Sequence, residues 1–173
     1  MSKAVIDALV ERFPEAVYDP YVGVGGDDCA FVKKDRIADV CRFLKAERGF
    51  DMAPYITAVD YLGQDPRYEV VYNLFATRTN ERIRLRVKVP ESDCVVPTVT
   101  GVWRGADWFE RYCYDMYGIR IAGHPDPRRL LMYEEFVGHP LRKDYPLKGR
   151  QPLVEERDFR DLVRGPGASP KTS

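Results

Sequence analysis

The sequence predicts an α+β fold in which a mixed or mainly antiparallel sheet is flanked by helices and followed by an extended, proline-rich C-terminal arm. Apolar residues recur with helical spacing in three segments and alternate with polar residues in others. Seven of the thirteen prolines come after residue 120. Because 173 residues suffice for one core, we expect a globular domain over residues 1–120 and an arm over residues 121–173.

The composition excludes several functional classes. Lys plus Arg and Asp plus Glu number 27 each, so no overall field draws the chain to nucleic acid or to an anionic membrane. The apolar runs are far shorter than the roughly 20 residues that span a bilayer, and the N-terminal stretch does not read as a secretory signal. Four cysteines without a CxxC pair predict reduced, structural thiols. We therefore expect a cytoplasmic polypeptide.

The first third of the chain predicts a helix, a hairpin and a second helix. Apolar residues at helical spacing follow Ser2, a potential cap, and Pro14 ends the run. Two short strands within residues 21–32 enclose the sequence GGDD, which is typical of a tight turn. Asp35 is placed to cap the second helix and Gly49 to end it.

The middle of the chain predicts three strands, at residues 55–61, 68–77 and 82–89. Apolar and basic residues alternate in the third strand, which is the pattern of a sheet with one wet or partner-covered face. The apolar members are Ile83, Leu85, Val87 and Val89, and the basic members are Arg82, Arg84, Arg86 and Lys88.

A further helix is predicted over residues 107–117, after a short strand that follows Pro97. Arg111 and Asp115 are spaced to pair at i,i+4, and Gly118 can adopt the left-handed conformation that ends a helix. Such pairing and capping explain the carboxylates of this helix, so we expect no raised pKa among them.

The predicted arm, residues 121–173, is suited to lie along another surface. Proline favours extended backbone, which lowers the entropy lost on docking. Phe136, Tyr145 and Leu147 are the expected anchors, and we expect the arm to be mobile in the isolated chain.

No catalytic or metal constellation emerges from the sequence. His124 and His139 each lie in a GHP tripeptide, and no third ligand stands at a recognisable spacing, so a metal site is a minor alternative. Three of the four serines lie at the chain ends, which argues against acyl transfer. The glycines of residues 23–26 precede two aspartates that would repel phosphate.

The basic ladder of the third strand supports a rival interpretation, a small module that binds single-stranded nucleic acid. Such modules combine a basic groove with stacking aromatic residues, and Tyr68 and Tyr72 lie on the neighbouring predicted strand. Glu69, Glu81 and Glu91 are close enough in sequence to neutralise part of the ladder. A solvated or partner-covered sheet face is therefore the favoured interpretation.

The strongest signal is a set of motifs between Gly101 and Leu147. They are Glu110-Arg111, Asp115-Met116-Tyr117-Gly118, Gly123-His124-Pro125-Asp126, Arg128-Arg129, Gly138 to Asp144 and Tyr145-Pro146-Leu147. This region resembles the signature of the 30-kDa-type subunit, also known as the C subunit, of respiratory complex I, NADH:quinone oxidoreductase. Two positions depart from the family pattern, with Tyr112 in place of a carboxylate and Pro127 in place of leucine.

The resemblance implies a non-catalytic structural subunit of the peripheral arm, on the cytoplasmic side of the cell membrane. The chain would bind no cofactor or metal itself and would dock on the quinone-site subunit, the D subunit of the complex, near the B and I subunits. FMN and iron-sulfur clusters of the assembly would carry electrons from NADH to quinone, coupled to proton translocation. A related membrane-bound hydrogenase or another donor:quinone reductase is the alternative machine.

The resemblance also yields a set of expected partner-interface residues. Arginine and lysine would supply charge-assisted contacts, and the aromatic residues would supply buried anchors. The set is Trp108, Glu110, Arg111, His124, Arg128, Arg129, Phe136, His139, Arg142, Lys143, Asp144 and Tyr145.

Overall fold

The computed structural model describes residues 3–151, in which three helices and seven strands confirm the predicted α+β class. In chain order these are α1 (Lys3–Arg12), β1 (Val17–Val22), β2 (Asp28–Val32), α2 (Ile37–Arg48), β3 (Met52–Asp60), β4 (Tyr68–Ala76), β5 (Glu81–Val89), β6 (Val95–Pro97), α3 (Ala106–Tyr117) and β7 (Arg120–Ala122). The expected cap Ser2 and residues 152–173 of the expected arm lie outside the described residues.

The main sheet is mixed and has the strand order β1-β2-β5-β4-β3. Neighbouring strands are antiparallel except for β2 and β5, which run parallel. A parallel pair needs a long crossover, and here α2, β3 and β4 supply it. A second, two-stranded parallel sheet forms where α3 connects β6 to β7.

The core lies between the main sheet and the helices, as the alternation in β5 predicts. Ile83, Leu85, Val87 and Val89 are each no more than 1% exposed. The basic residues between them are partly or fully exposed on the opposite side of the sheet. Leu9 of α1, Leu44 of α2 and Cys113 of α3 all belong to the same buried cluster.

Several local predictions need correction. Asp35 does not cap α2, because residues 34–36 form a turn of 3-10 helix. The helix α2 begins after Arg36, whose side chain makes no capping hydrogen bond. The short strand near Pro97 ends at that residue instead of following it, since β6 pairs with β7 there. Of the acidic residues expected to neutralise the ladder, Glu69 pairs with Arg86, whereas Glu91 pairs with Arg67.

The four cysteines are free thiols, and Cys41 and Cys113 are completely buried. Burial raises the pKa of both thiols, because desolvation disfavours the thiolate. Within residues 3–151, no group of three His, Cys, Asp or Glu side chains is placed to hold a metal ion. None of the helices described for these residues has the length and apolar content to cross a bilayer.

Two helices end at glycines in the same left-handed conformation but in different surroundings. Gly49 follows α2 with φ 72°, and nothing lies within 4 Å of a Cβ built there. Gly118 follows α3 with φ 77°, and a Cβ would lie 2.5 Å from Nη2 of Arg142 and 2.6 Å from Cδ2 of His139. The second glycine therefore also allows a later part of the chain to approach α3.

This pair of glycines separates backbone strain from packing. Gly49→Ala should lower the free energy of unfolding by about 1 kcal/mol, the cost of a left-handed alanine. Gly118→Ala should cost about 1–3 kcal/mol more, because the methyl group overpacks against residues 139 and 142. Urea unfolding of the two variants measures the difference. Equal losses of unfolding free energy would show that the close contact of residues 139 and 142 with Gly118 adds nothing to the cost of the substitution.

Candidate partner interface

Residues 121–151 fold back along α3 and the end of the main sheet, and polar contacts hold them there. The contacts come mostly from the charged residues and histidines that the sequence marks as interface residues. They form three attachments, two along α3 and one at the end of β3, and they leave a group of apolar side chains exposed.

A buried carboxylate on α3 organises the first part of this segment. Asp115 is 0% exposed, and its Oδ2 accepts hydrogen bonds from the backbone N–H groups of Leu130 (3.1 Å), Leu131 (2.7 Å) and Met132 (2.9 Å). Its Oδ1 accepts one from Arg129 at 2.7 Å. Burial alone would raise the pKa of Asp115, but these donors outweigh it and the pKa lies below its usual value.

The predicted ion pair between Arg111 and Asp115 is wrong, because both side chains have partners in the folded-back segment. Arg111 donates from Nε to the carbonyl of Arg128 (3.0 Å) and from Nη2 to that of Arg129 (2.8 Å). Arg129 in turn donates from Nη2 to the carbonyls of Phe136 (3.0 Å) and Gly138 (3.1 Å). These arginines satisfy backbone groups of a segment that lacks regular structure.

The end of α3 binds the segment a second time, around Gly118. His139 lies with Nδ1 at 3.0 Å from the carbonyl oxygen of Asp115, and Arg142 donates from Nε to the carbonyl of Tyr117 at 2.6 Å. Burial lowers the pKa of His139, which favours the neutral ring. The same Arg142 guanidinium lies 5.4 Å from the ring centroid of Tyr68.

A third attachment joins the segment to the end of β3. Arg67 donates to both carboxylate oxygens of Asp60, at 2.9 and 3.0 Å, and the two side chains are 5% and 2% exposed. Arg67 also pairs with Glu91 at 2.7 Å and with Asp144 at 2.9 Å, while the backbone N–H of Lys143 donates to Asp60 at 2.8 Å. The hydrogen bonds from Arg67 hold the pKa of Asp60 below its usual value.

Glu110 is buried inside the chain, and its environment corrects the expectation of an unraised pKa. Its carboxylate accepts from the Thr98 hydroxyl and from the Val99 backbone N–H, both at 2.6 Å. Desolvation nevertheless raises its pKa. The His124 ring, also buried, lies with Nε2 at 3.7 Å from Glu110, and its Nδ1 accepts from the backbone N–H of Asp126 at 3.0 Å.

The expected anchors divide into two groups. Phe136 and Tyr145 stack on each other, with ring centroids 5.9 Å apart, so they stabilise the segment internally. Leu147 is 98% exposed and Trp108 is 68% exposed. Trp108 therefore remains the one expected aromatic anchor with most of its surface free to meet a partner.

The structure thus places most of the expected interface residues in the interior contacts of the chain. Four of them remain exposed, namely Trp108, Arg128, Lys143 and Asp144, and the last of these pairs with Arg67. It also exposes large apolar residues that the sequence motifs did not mark, which are Leu131 (60%), Tyr133 (39%), Val137 (67%) and Leu141 (43%). The sequence feature that could have indicated these residues is the apolar run at residues 130–133, which lies in a stretch without helical or strand periodicity. We call Trp108 and these four residues the apolar surface.

Asp115→Asn tests the role of the buried carboxylate. The amide cannot accept three backbone hydrogen bonds and the Arg129 pair together, and breaking a buried charge pair costs about 3–5 kcal/mol. Hydrogen exchange at the amides of residues 130–132 should accelerate and the midpoint of urea unfolding should fall. The control is Asp93→Asn, which removes an exposed carboxylate paired with Lys34 outside the folded-back segment and should leave both readouts nearly unchanged. Slow exchange in the Asp115 variant would contradict this role.

Glu110 makes the stability of the folded chain depend on pH. Because its pKa is raised, the folded state binds the proton more tightly, and this group's contribution to stability falls as pH rises from the ordinary value of 4.5 through the raised value. Glu110→Gln should remove that fall, and Thr98→Val should steepen it by removing a donor to the carboxylate. Urea unfolding across this range measures both, and variants whose curves run parallel to the parent's would contradict the assignment.

Comparison with known proteins gives the family of the chain. The family model for the respiratory-chain NADH dehydrogenase 30 Kd subunit matches residues 30–151. The C subunit of NADH-quinone oxidoreductase from Geobacter sulfurreducens is 45% identical over 149 residues, which cover 86% of this chain and 91% of the relative. The C 2 subunit of the same enzyme from Rhizobium etli is 44% identical, and the match covers 95% of this chain and 94% of the relative.

Solved structures agree with this result. The trypsin-resistant fragment (1-134) of Nqo5 is 31% identical, with a TM-score of 0.63, and the match covers 70% of this chain and 98% of the fragment. A chain of the membrane-bound sulfane sulfur reductase, an archaeal respiratory membrane complex, has a TM-score of 0.70 at 22% identity, covers 84% of this chain and 86% of its own length, and shows the fold alone. The chain described here belongs to the family of the 30 kDa subunit of respiratory-chain NADH dehydrogenase, the C subunit of NADH-quinone oxidoreductase.

Proposed function

We propose that the chain is a non-catalytic structural and assembly subunit in the peripheral arm of a proton-translocating NADH:quinone oxidoreductase. It packs on the quinone-site subunit, beside the B and I subunits, on the cytoplasmic side of the membrane. FMN and the iron-sulfur clusters belong to other subunits, and this chain supports their electron transfer from NADH to quinone by holding the quinone-site subunit in place.

The observation that carries the proposal is the internal use of the charged motif residues. Asp115, Arg129 and Arg142 bind the chain's own backbone, and Arg67 joins the strands to the segment. These groups therefore position structure and are not free for chemistry. What the same region leaves exposed is the apolar surface, and contiguous exposed apolar patches often mark sites of protein association.

The names of the relatives favour this machine over a related hydrogenase or another donor:quinone reductase. The relatives from Geobacter sulfurreducens and Rhizobium etli are both NADH-quinone oxidoreductase subunits. The likeness to the sulfane sulfur reductase concerns the fold, so it does not select a donor.

Affinity purification of a tagged chain from gently solubilised native membranes tests the proposal. Recovery of the D, B and I subunits, identified by mass spectrometry, together with oxidation of NADH by quinone would support it. Recovery of a hydrogenase large subunit in place of the NADH-oxidising subunits would move the chain to the related machine and contradict the proposal.

The role of the apolar surface in assembly can be tested by shortening one side chain. Trp108→Ala should reduce recovery of the quinone-site subunit by about tenfold or more, because buried tryptophans at interfaces often contribute at least about 2 kcal/mol. Its thermal midpoint should match the parent's, since the side chain is 68% exposed. Leu62→Ala, which truncates a residue 49% exposed in the turn after β3, is the matched control and should assemble normally. Normal recovery with Trp108→Ala would remove this residue from the interface.

A further inference from the structure

The main sheet has a second side, which the helices leave uncovered within residues 3–151. The β5 side chains that face the helices are almost fully buried, whereas Arg84 and Arg86 are partly exposed and Arg82 and Lys88 are exposed. Tyr21 of β1 and Phe31 of β2 lie on the same side, in contact with Arg86. We call these six residues, Tyr21, Phe31, Arg82, Arg84, Arg86 and Lys88, the open face.

The two central arginines of the open face are neutralised and held in place. Arg84 pairs with Asp27 at 3.2 Å and donates to Asn73 at 2.9 Å. Arg86 pairs with Glu69 through both carboxylate oxygens, and Glu69 itself is only 4% exposed. These arginines are therefore part of the sheet's own structure.

The two outer cations have no carboxylate partner in the described part of the chain. Lys88 lies with Nζ 4.9 Å from the ring centroid of Phe31, and Arg82 lies with its guanidinium 5.2 Å from the ring of Phe75. Asp27 and Glu69 pair with the two central arginines, so Arg82 and Lys88 are the cations of this face that make no ion pair with the described residues. These unpaired cations are a local feature of the face, since the formal net charge of the chain is zero.

A hydroxyl group adds a further donor beside Lys88. Tyr21 accepts a hydrogen bond from Nη1 of Arg86 at 2.7 Å, so its own proton is directed elsewhere, and the described residues supply no acceptor for it. The ring of Tyr21 is 36% exposed and lies 6.3 Å from that of Phe31, over which Lys88 is placed. An ammonium group and a hydroxyl donor thus border one aromatic ring, an arrangement complementary to a carboxylate.

We propose that the open face is a second docking surface, which receives an acidic segment of a neighbouring subunit, with a partner carboxylate bound by Lys88 and Tyr21. This inference rests on the proposed function, because it places the neighbour in the same assembly. The open face is separate from the apolar surface, because Trp108 lies on α3 and α3 packs on the other, covered side of the sheet. Nucleic acid fits the face less well, because Arg84 and Arg86 are already ion-paired and interrupt the run of free cations that would follow a phosphate backbone, whereas a single carboxylate needs only Lys88 and Tyr21.

Chemical labelling in the purified complex tests the proposal directly. A carbodiimide, which joins amines to nearby carboxylates, should link Lys88 to an aspartate or glutamate of another subunit. Acetylation of Lys88 should be about tenfold slower in the complex than in the separated chain, which corresponds to a contact of about 1.4 kcal/mol. Equal acetylation in the two forms would overturn the proposal.

Competitive assembly provides the second readout. When a tagged variant and the untagged parent are expressed together, Lys88→Glu should enter the complex about tenfold less often than the parent, whereas Lys88→Arg should enter equally. Arg48→Glu is the matched control, because Arg48 also lies over a ring, that of Phe43 at 5.8 Å, but on α2. Equal incorporation of Lys88→Glu, with the parent present in the complex, would overturn the docking face and leave the proposed function intact.

The remaining outcomes also decide the question. Absence of the parent chain from the complex would overturn both proposals. Lys88-dependent binding of a single-stranded oligonucleotide by the isolated chain, weakening steeply with salt, would assign the face to nucleic acid and overturn the docking of an acidic protein segment.

Discussion

The folded-back segment of residues 121–151 depends on one buried charge, the carboxylate of Asp115. A carboxylate removed from water is costly unless it is paired and hydrogen-bonded. On α3 itself no donor satisfies Asp115, and the four donors that do so all come from residues 129–132. The helix and the folded-back segment therefore stabilise each other, and neither arrangement is satisfied without the other.

This constraint explains the distribution of charge in the rest of the segment. Arg111 and Arg129 bind carbonyl groups that no strand or helix satisfies, and Arg142 does the same at the end of α3 beside Gly118. The Asp60 and Arg67 pair attaches the following residues to the sheet. The charged motif residues of this chain thus bind an irregular segment, and they leave the apolar side chains of that segment exposed.

The two surfaces differ in chemistry and in the kind of partner they suit. The apolar surface exposes Trp108 and four other large side chains, and their removal from water by a partner would lower the free energy of the complex. The open face offers donors and positive charge around Phe31, which favours orientation and selectivity more than affinity. A protein that contacts neighbours through surfaces of both kinds on opposite sides of its sheet would act as a spacer with a defined orientation.

The sequence by itself determined the features that depend on neighbours close along the chain. Helical spacing located α1, α2 and α3, alternation located β5 with its correct buried side, and Gly49 and Gly118 marked the helix ends. The motifs also identified the family.

The tertiary structure alone decided the parallel pairing of β2 with β5 and the partners of Asp115, Arg111 and Glu110. The physical reason is that a side chain on α3 can pair either with a residue one helical turn away or with one brought near by folding, and the spacing of the sequence shows only the first. A buried carboxylate takes the arrangement that satisfies most of its lone pairs, and for Asp115 those donors lie 14 to 17 residues further along the chain.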